Sequence, residues 1–343
     1  MSSAERSLAR VEEALSVRLP RWLFAHCADG AGRAVDPDAL LDPGSGVVQG
    51  GRMPPDSLPV AVEASGDALL VRFDGWGAPV EAVTWRGDGT YQPAQAPPEL
   101  PSPAARALAE VRAALRSGLA DMAEALGRNA LAHDLGVSGE TFAGWLRDAR
   151  LVPEPHRVAL RRLSGEDDAA LFGQDWPAAA AAAGRIAPVR PDLAWPGVVL
   201  GYAAEGRTDA AAAVAGYAAA LSGEAPTLAL RDPGTSHEEA ARRVAEDWRR
   251  CAGGWPPGDA ALAAALTGAG AVRAHHLAEC DRLRRQGRAA QAYEEARRAG
   301  WRRHVPVDMD DVLGRMSDAA AAAGASAHAA LARLHLRAWM AGR

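Results

Sequence analysis

The sequence predicts an α+β N-terminal domain, an antiparallel sheet with flanking helices, followed by an all-α helical region. Three observations carry this expectation. From Leu58 to Tyr91 apolar residues recur in short alternating runs separated by Gly- and Asp-containing turns. Five prolines from Pro93 to Pro103 end that pattern. Beyond them the spacing is helical almost without interruption, with breaks at Gly and Pro, as in Trp176-Pro177, Trp195-Pro196 and Trp255-Pro256-Pro257. The divisions expected are 1–98 for the α+β domain (or to 127, if the first helix after the prolines belongs to it), 103–175 for a first helical region, and 176–343 for an all-α domain of hairpins or a bundle.

Taken in order, Ser2-Ser3-Ala4-Glu5 resembles a helix start with an acidic first turn. Leu8, Val11 and Leu15 give that helix an apolar face, and Pro20 ends it. A second helix is expected through Trp22, Leu23 and Phe24 to Gly30, then a long loop over 32–57 rich in Gly, Pro and Asp. Leu58–Glu63 and Ala68–Phe73 form a hairpin through Ala64-Ser65-Gly66-Asp67, and Val80–Trp85 is a third strand after the turn Asp74-Gly75-Trp76-Gly77. In the middle strand Leu69, Val71 and Phe73 share a face and Arg72 points away. Helices are expected near 103–126, 128–135, 139–148, 155–164, 193–205, 208–221, 236–251, 258–266, 271–286, 289–299 and 309–340.

Composition excludes several classes. The chain has 343 residues, enough for two or three domains, and all 38 of its basic residues are arginine. With Ile186 and Asn129 alone of their types, this points to genomic GC bias rather than selection for guanidinium chemistry. Residues 1–127 carry 17 acidic and 11 basic side chains, a balance of −6, whereas 128–343 carry 26 and 27, a balance of +1. The acidic half suits a basic partner and disfavours non-specific nucleic-acid binding. Cys27, Cys251 and Cys280 form no CxxC pair and fit reduced thiols. Neither a signal peptide nor a membrane-length apolar run is visible, so a cytoplasmic location is expected.

The ordered set Val11-Glu12-Glu13, Leu19-Pro20, Phe24, Gly30, Leu58-Pro59-Val60-Ala61, Gly66-Asp67, Leu69-Leu70-Val71 and Val80 through Trp85 resembles the SUKH superfamily. The resemblance covers about residues 5–92. Two features depart from the family pattern: Arg86-Gly87 follows the Trp, and the family's closing Phe-x-x-Phe-Leu helix is not evident. The resemblance implies a non-enzymatic recognition module, as in bacterial immunity proteins that neutralise nuclease or other toxins, or in scaffolding and regulatory relatives. The partner implied is a protein toxin, such as a basic nuclease. The candidate partner-binding residues are Asp67, Asp74, Trp76, Trp85 and Asp88. Trp suits an interface anchor, whereas each Asp, beside Gly, is also explained by turn chemistry alone.

Residues 130–147, ALAHDLGVSGETFAGWLR, resemble a phage-repressor-type helix-turn-helix with Gly136 at the turn and Phe142, Trp145 and Leu146 inward. Its groove-facing positions would be Gly139, Glu140, Ala143 and Gly144, which offer no bidentate donor to a base, so DNA binding is not expected. Gly206–Ala211 and Gly287–Ala292 resemble the turns of tetratricopeptide hairpins, with small residues at Ala211/Ala215 and Ala292/Ala296. Their 81-residue separation rules out a regular 34-residue array. His275, His276 and Cys280 form a metal-like cluster with too few ligands to hold zinc. No residue is assigned a catalytic, metal-binding or cofactor-binding role. The expected function is toxin neutralisation by binding; the alternative is a regulatory protein with a helix-turn-helix-like segment and helical interaction repeats.

Overall fold

The computed structural model describes residues 3–20, 32–49, 53–63, 67–86, 91–94, 102–190, 192–223, 237–253, 257, 260–301 and 309–342. The expected helix around Trp22–Phe24, together with Cys27, Gly30 and Asp88, lies outside them. The α+β class holds: an N-terminal sheet is followed by a long run of helices. Helix α1 (Ser3–Leu15) leads into a five-stranded antiparallel meander of β1 (Gly32–Ala34), β2 (Ser57–Glu63), β3 (Ala68–Phe73), β4 (Pro79–Trp85) and β5 (Tyr91–Pro93). The β2–β3 register slips at Pro59/Ala61 and the β3–β4 register at Arg72/Phe73. The predicted loop over 32–57 contains β1 and a short helix α2 (Pro37–Leu41). Asp36 caps α2 by accepting from the Asp38 N–H, and Pro37 opens it, a start signal present in the sequence but obscured by its Gly- and Pro-rich surroundings.

The strand alternation divides the sheet as expected. Leu58, Val60, Val71 and Phe73 face Leu8, Val11 and Leu15 of α1 and Leu40 of α2. Ala68, Leu70, Val83 and Trp85 pack with Met53 in a second, smaller cluster, and Arg72 is set apart from the first face.

Helices then follow as α3 (Pro103–Leu115), α4 (Gly118–Leu126), α5 (Arg128–Asp134), α6 (Gly139–Arg147), α7 (Glu154–Ser164), α8 (Asp168–Phe172), α9 (Trp176–Ile186), α10 (Trp195–Glu205), α11 (Ala210–Ser222), α12 (His237–Ala252), α13 (Ala260–Thr267), α14 (Ala269–Arg285), α15 (Ala289–Trp301), α16 (Met309–Ala322) and α17 (Ser326–Ala341). Three expectations are corrected. The helix predicted over 103–126 breaks at Arg116-Ser117. The one predicted over 309–340 breaks at Gly324, left-handed at φ 74°, where the Ala325 N–H donates to the Ala320 carbonyl in a Schellman-type stop. Trp176-Pro177 and Trp195-Pro196, read as breaks, are the first turns of α9 and α10, where proline loses no hydrogen bond.

The helical region packs largely through small residues. A side chain on Gly216 of α11 would run into the backbone of Gly201 in α10, so these helices touch main chain to main chain. That contact uses Ala213, Gly216, Tyr217 and Ala220, and leaves Ala211 and Ala215 exposed, contrary to the predicted hairpin pattern. In α15 the expected pair, Ala292 and Ala296, is buried.

The sheet is closed from the far end of the chain. Ala327, Leu331, Leu334 and Ala338 of α17 complete the core formed by α1, α2 and the inner face of the sheet. Ala329 and Ala332 of the same helix pack against α15 and α16. A polypeptide of residues 1–98 alone should therefore remain largely unfolded by circular dichroism and urea titration, because burial of Leu331 and Leu334 supplies about 1.5–3 kcal/mol each. Fusing residues 326–341 to it through a flexible linker should restore a cooperative transition.

Candidate functional site

Arg72 is a buried guanidinium on the middle strand, and its surroundings define the first candidate region. Its Nη2 lies 2.8 Å from Asp56 Oδ2 and its Nη1 3.3 Å from Glu81 Oε2 on the neighbouring strand. The α9–α10 loop adds a second layer: Arg190 Nη1 lies 2.7 Å from Glu81 Oε1, and its Nη2 2.7 Å from Asp192 Oδ2. Asp192 also faces Arg72 at 3.7 Å. Burial alone would raise the carboxylate pKa values. Arg190 and Arg72 outweigh it at Asp192, which is held down at about 2, and Arg72 and Arg297 outweigh it at Asp56, which is also lowered. Burial likewise works against the charge on Arg190, but Asp192 and Glu81 hold it more firmly protonated than an ordinary arginine.

Above this network opens a cleft of about 360 Å³, with Ser102, Pro103 and Ala104 of the α3 start on one side and Arg297 of α15 on another. Val80 and Val189, 51% and 65% exposed, are among its lining residues.

The β3–β4 turn is a separate candidate, and none of Asp74 to Gly77 lines the cleft. Asp74 Oδ1 accepts from the backbone N–H groups of Trp76 and Ala78, both at 2.9 Å, and the Asp74 N–H donates to the Ala78 carbonyl. Gly77 is left-handed at φ 83°, and a side chain there would strike the Ser16 carbonyl after α1. The Gly77 carbonyl accepts from the Arg18 N–H at 2.8 Å, and Gly75 packs against Ala325 ahead of α17. The turn is thus fastened to both ends of the lobe, and Trp76 at its tip is 79% exposed.

The five partner candidates therefore separate. Trp76 is exposed on a fixed turn, and Asp74 builds that turn. Asp67 is half-buried at the β2–β3 connection, and Asp88 falls outside the described residues. Trp85 is only 2% exposed and fills the smaller core with Leu70 and Val83, so it presents no surface to a partner. Sequence reasoning missed the Arg72–Arg190 network. The available signal was a lone arginine in an otherwise apolar strand, but Arg190 and Asp192, which complete the network around it, lie more than a hundred residues away.

The other candidate clusters resolve into packing. Helices α4 to α8 share a core of Leu119, Leu131, Phe142, Trp145, Leu160, Leu171 and Phe172. Gly136 is left-handed and Ser138 caps α6, as in a helix-turn-helix. Ala143, however, is buried rather than groove-facing, and Glu140 is paired with Arg243 of α12 at 3.1 Å. His276 Nδ1 is bonded to Glu295 at 2.7 Å and Cys280 is buried. Among the described residues no group of three or more His, Cys, Asp or Glu side chains could hold a metal ion. Burial, and then a hydrogen bond to Glu205, push the Cys251 thiol up to about 11, and burial raises Cys280, so both thiols are protonated at neutral pH. No described helix is long and apolar enough to cross a membrane.

No family model, curated protein or solved structure matches this chain.

The network yields a stability test. Arg72→Met leaves Asp56 and Glu81 buried without their shared cation, and urea unfolding should show a loss of about 3–5 kcal/mol. Adding Asp56→Leu should recover most of that loss, because the uncompensated charge lies there while Glu81 keeps Arg190.

Proposed function

We propose that this chain is a non-enzymatic, cytoplasmic protein-binding module that neutralises a bacterial toxin by occluding it. The observation that carries the reading is Trp76, exposed at the tip of a turn braced by Asp74, Gly77 and the start of α17. An exposed tryptophan on a fixed support gives a large contact area at little ordering cost. Two features support the toxin-neutralising form: the resemblance of residues 5–92 to SUKH proteins, and the −6 balance of residues 1–127, from 17 acidic and 11 basic side chains. That balance would hasten encounter with a basic nuclease.

Co-expression with a toxin domain encoded beside this gene tests the reading. Growth should be rescued and a complex recovered by pull-down. Trp76→Ala should weaken that complex by about 2 kcal/mol, roughly thirtyfold, while changing unfolding stability by no more than about 0.5 kcal/mol. Neither rescue nor a complex with the wild-type chain would overturn the proposal.

A second reading, regulation through DNA, is favoured by one observation: the Gly136 turn and Ser138 cap shape α5 and α6 as a helix-turn-helix. The Glu140–Arg243 pair beside the first turn of α6 weighs against it. This reading expects a salt-dependent mobility shift on DNA that Arg147→Ala weakens; no shift at low salt removes it.

A further inference from the structure

Two histidines of α17, seven residues and so two turns apart, meet main-chain carbonyls of the sheet. His328 Nε2 lies 2.9 Å from the Phe73 carbonyl at the end of β3, and His335 Nε2 lies 3.1 Å from the Ser57 carbonyl at the start of β2. As each acceptor is a carbonyl, the rings must donate. The two environments differ. His328 is half-buried and stacked on Tyr293 at 4.6 Å. His335 has no exposed surface, and among the described residues its Nδ1 has no hydrogen-bond partner. A neutral ring donating through Nε2 keeps only a lone pair on Nδ1. A protonated ring would carry there a second N–H and a full charge, and among the described residues no acceptor is hydrogen-bonded to Nδ1.

We infer that His335 is an acid-sensitive latch whose protonation undocks α17 from the sheet.

The groups around the ring bear this out. From the segment before β2, Asp56 acts on His335 and favours its protonation; Arg72 holds that carboxylate through Oδ2, while its Oδ1 has no hydrogen-bond partner among the described residues. The shared core receives Leu8, Val11 and Leu15 from α1 and Leu40 from α2, all apolar. From α15, Tyr293 stacks on His328, and the charge of Arg297 acts on Asp56. From α16, Ser317 accepts from Arg333 of α17, and Arg337 of α17 is exposed. Burial prevails over the Ser57 and Asp56 contributions, so His335 is lowered from the ordinary histidine value of 6.5. An undocked α17 therefore takes up the proton first. Docking is at full strength above about pH 6.5 and is lost as the pH falls through the docked-state value.

Hydrogen exchange of the α17 amides, corrected for the intrinsic pH dependence of exchange, tests the latch without any partner. Between about pH 7 and pH 5, protection over 326–341 should fall severalfold, because the undocked helix takes up the proton first. His335→Gln keeps a donor for the Ser57 carbonyl but does not titrate, and its protection should stay flat. Unchanged protection in the wild-type chain, or the same loss in His335→Gln, would overturn the inference. So would a rise on acidification, which would mean that the new N–H has found Asp56. Should the variant not fold at neutral pH, the ring resonances of wild-type His335 decide: titration together with loss of protection supports the latch, and titration with α17 still protected refutes it.

Discussion

A guanidinium withdrawn from water needs carboxylates in reach, and for Arg72 on the middle strand the sheet supplies Asp56 and Glu81. Those two carboxylates are themselves buried, and Glu81 is satisfied only when Arg190 arrives from the α9–α10 loop, bringing Asp192 with it. Desolvation of each ion costs several kcal/mol, so such a network is tolerable only when complete. Its geometry is therefore a constraint on assembly. The helical region must sit where Arg190 reaches β4, and a displacement of that loop would strand two buried charges. Apolar packing over the Ala-rich helices is short-ranged and permissive in register; the ionic contacts, which are directional, select one arrangement.

The opposite face of the sheet obeys a different rule. There the requirement is apolar cover, met by α1, α2 and, across 278 residues of chain, by α17. A core closed by the final helix postpones the reward for forming the sheet until most of the chain exists, which raises contact order and slows folding. Two ring-to-carbonyl hydrogen bonds fix how far α17 slides along the strands, a matter that Ala and Leu side chains alone leave loose.

What could be read from the sequence follows the range of the forces involved. The meander was legible because strand alternation and turn residues are local: Leu69, Val71 and Phe73 on one face, Asp74 and Gly77 at the turn. Most helices were legible for the same reason. The Gly324 break was hidden in a run of alanine, where helix propensity is high and a single glycine reads equally as one that the helix tolerates. Ala211 and Ala215 misled because glycine, smaller still, set the contact between α10 and α11. Trp85 misled because composition does not say which face of a strand is covered. At the candidate site, Trp76 and Asp74 were visible as turn residues, whereas Arg190, Asp192 and His335 were not, since nothing local ties them to β2–β4.

The same constraints explain why an exposed tryptophan can persist here. Trp76 gains nothing from burial in the free chain, and a loose turn would let it fold back on the lobe. The turn is not loose: Asp74 accepts two of its N–H groups, Gly77 is wedged against Ser16, and Gly75 rests on Ala325. Each of these supports depends on a different segment, the turn itself, α1 and the start of α17. The backbone position of Trp76 is thus set by the completed fold rather than by the hairpin. A partner docking on it would meet a turn whose backbone is already fixed, so less of the contact energy would be lost to ordering.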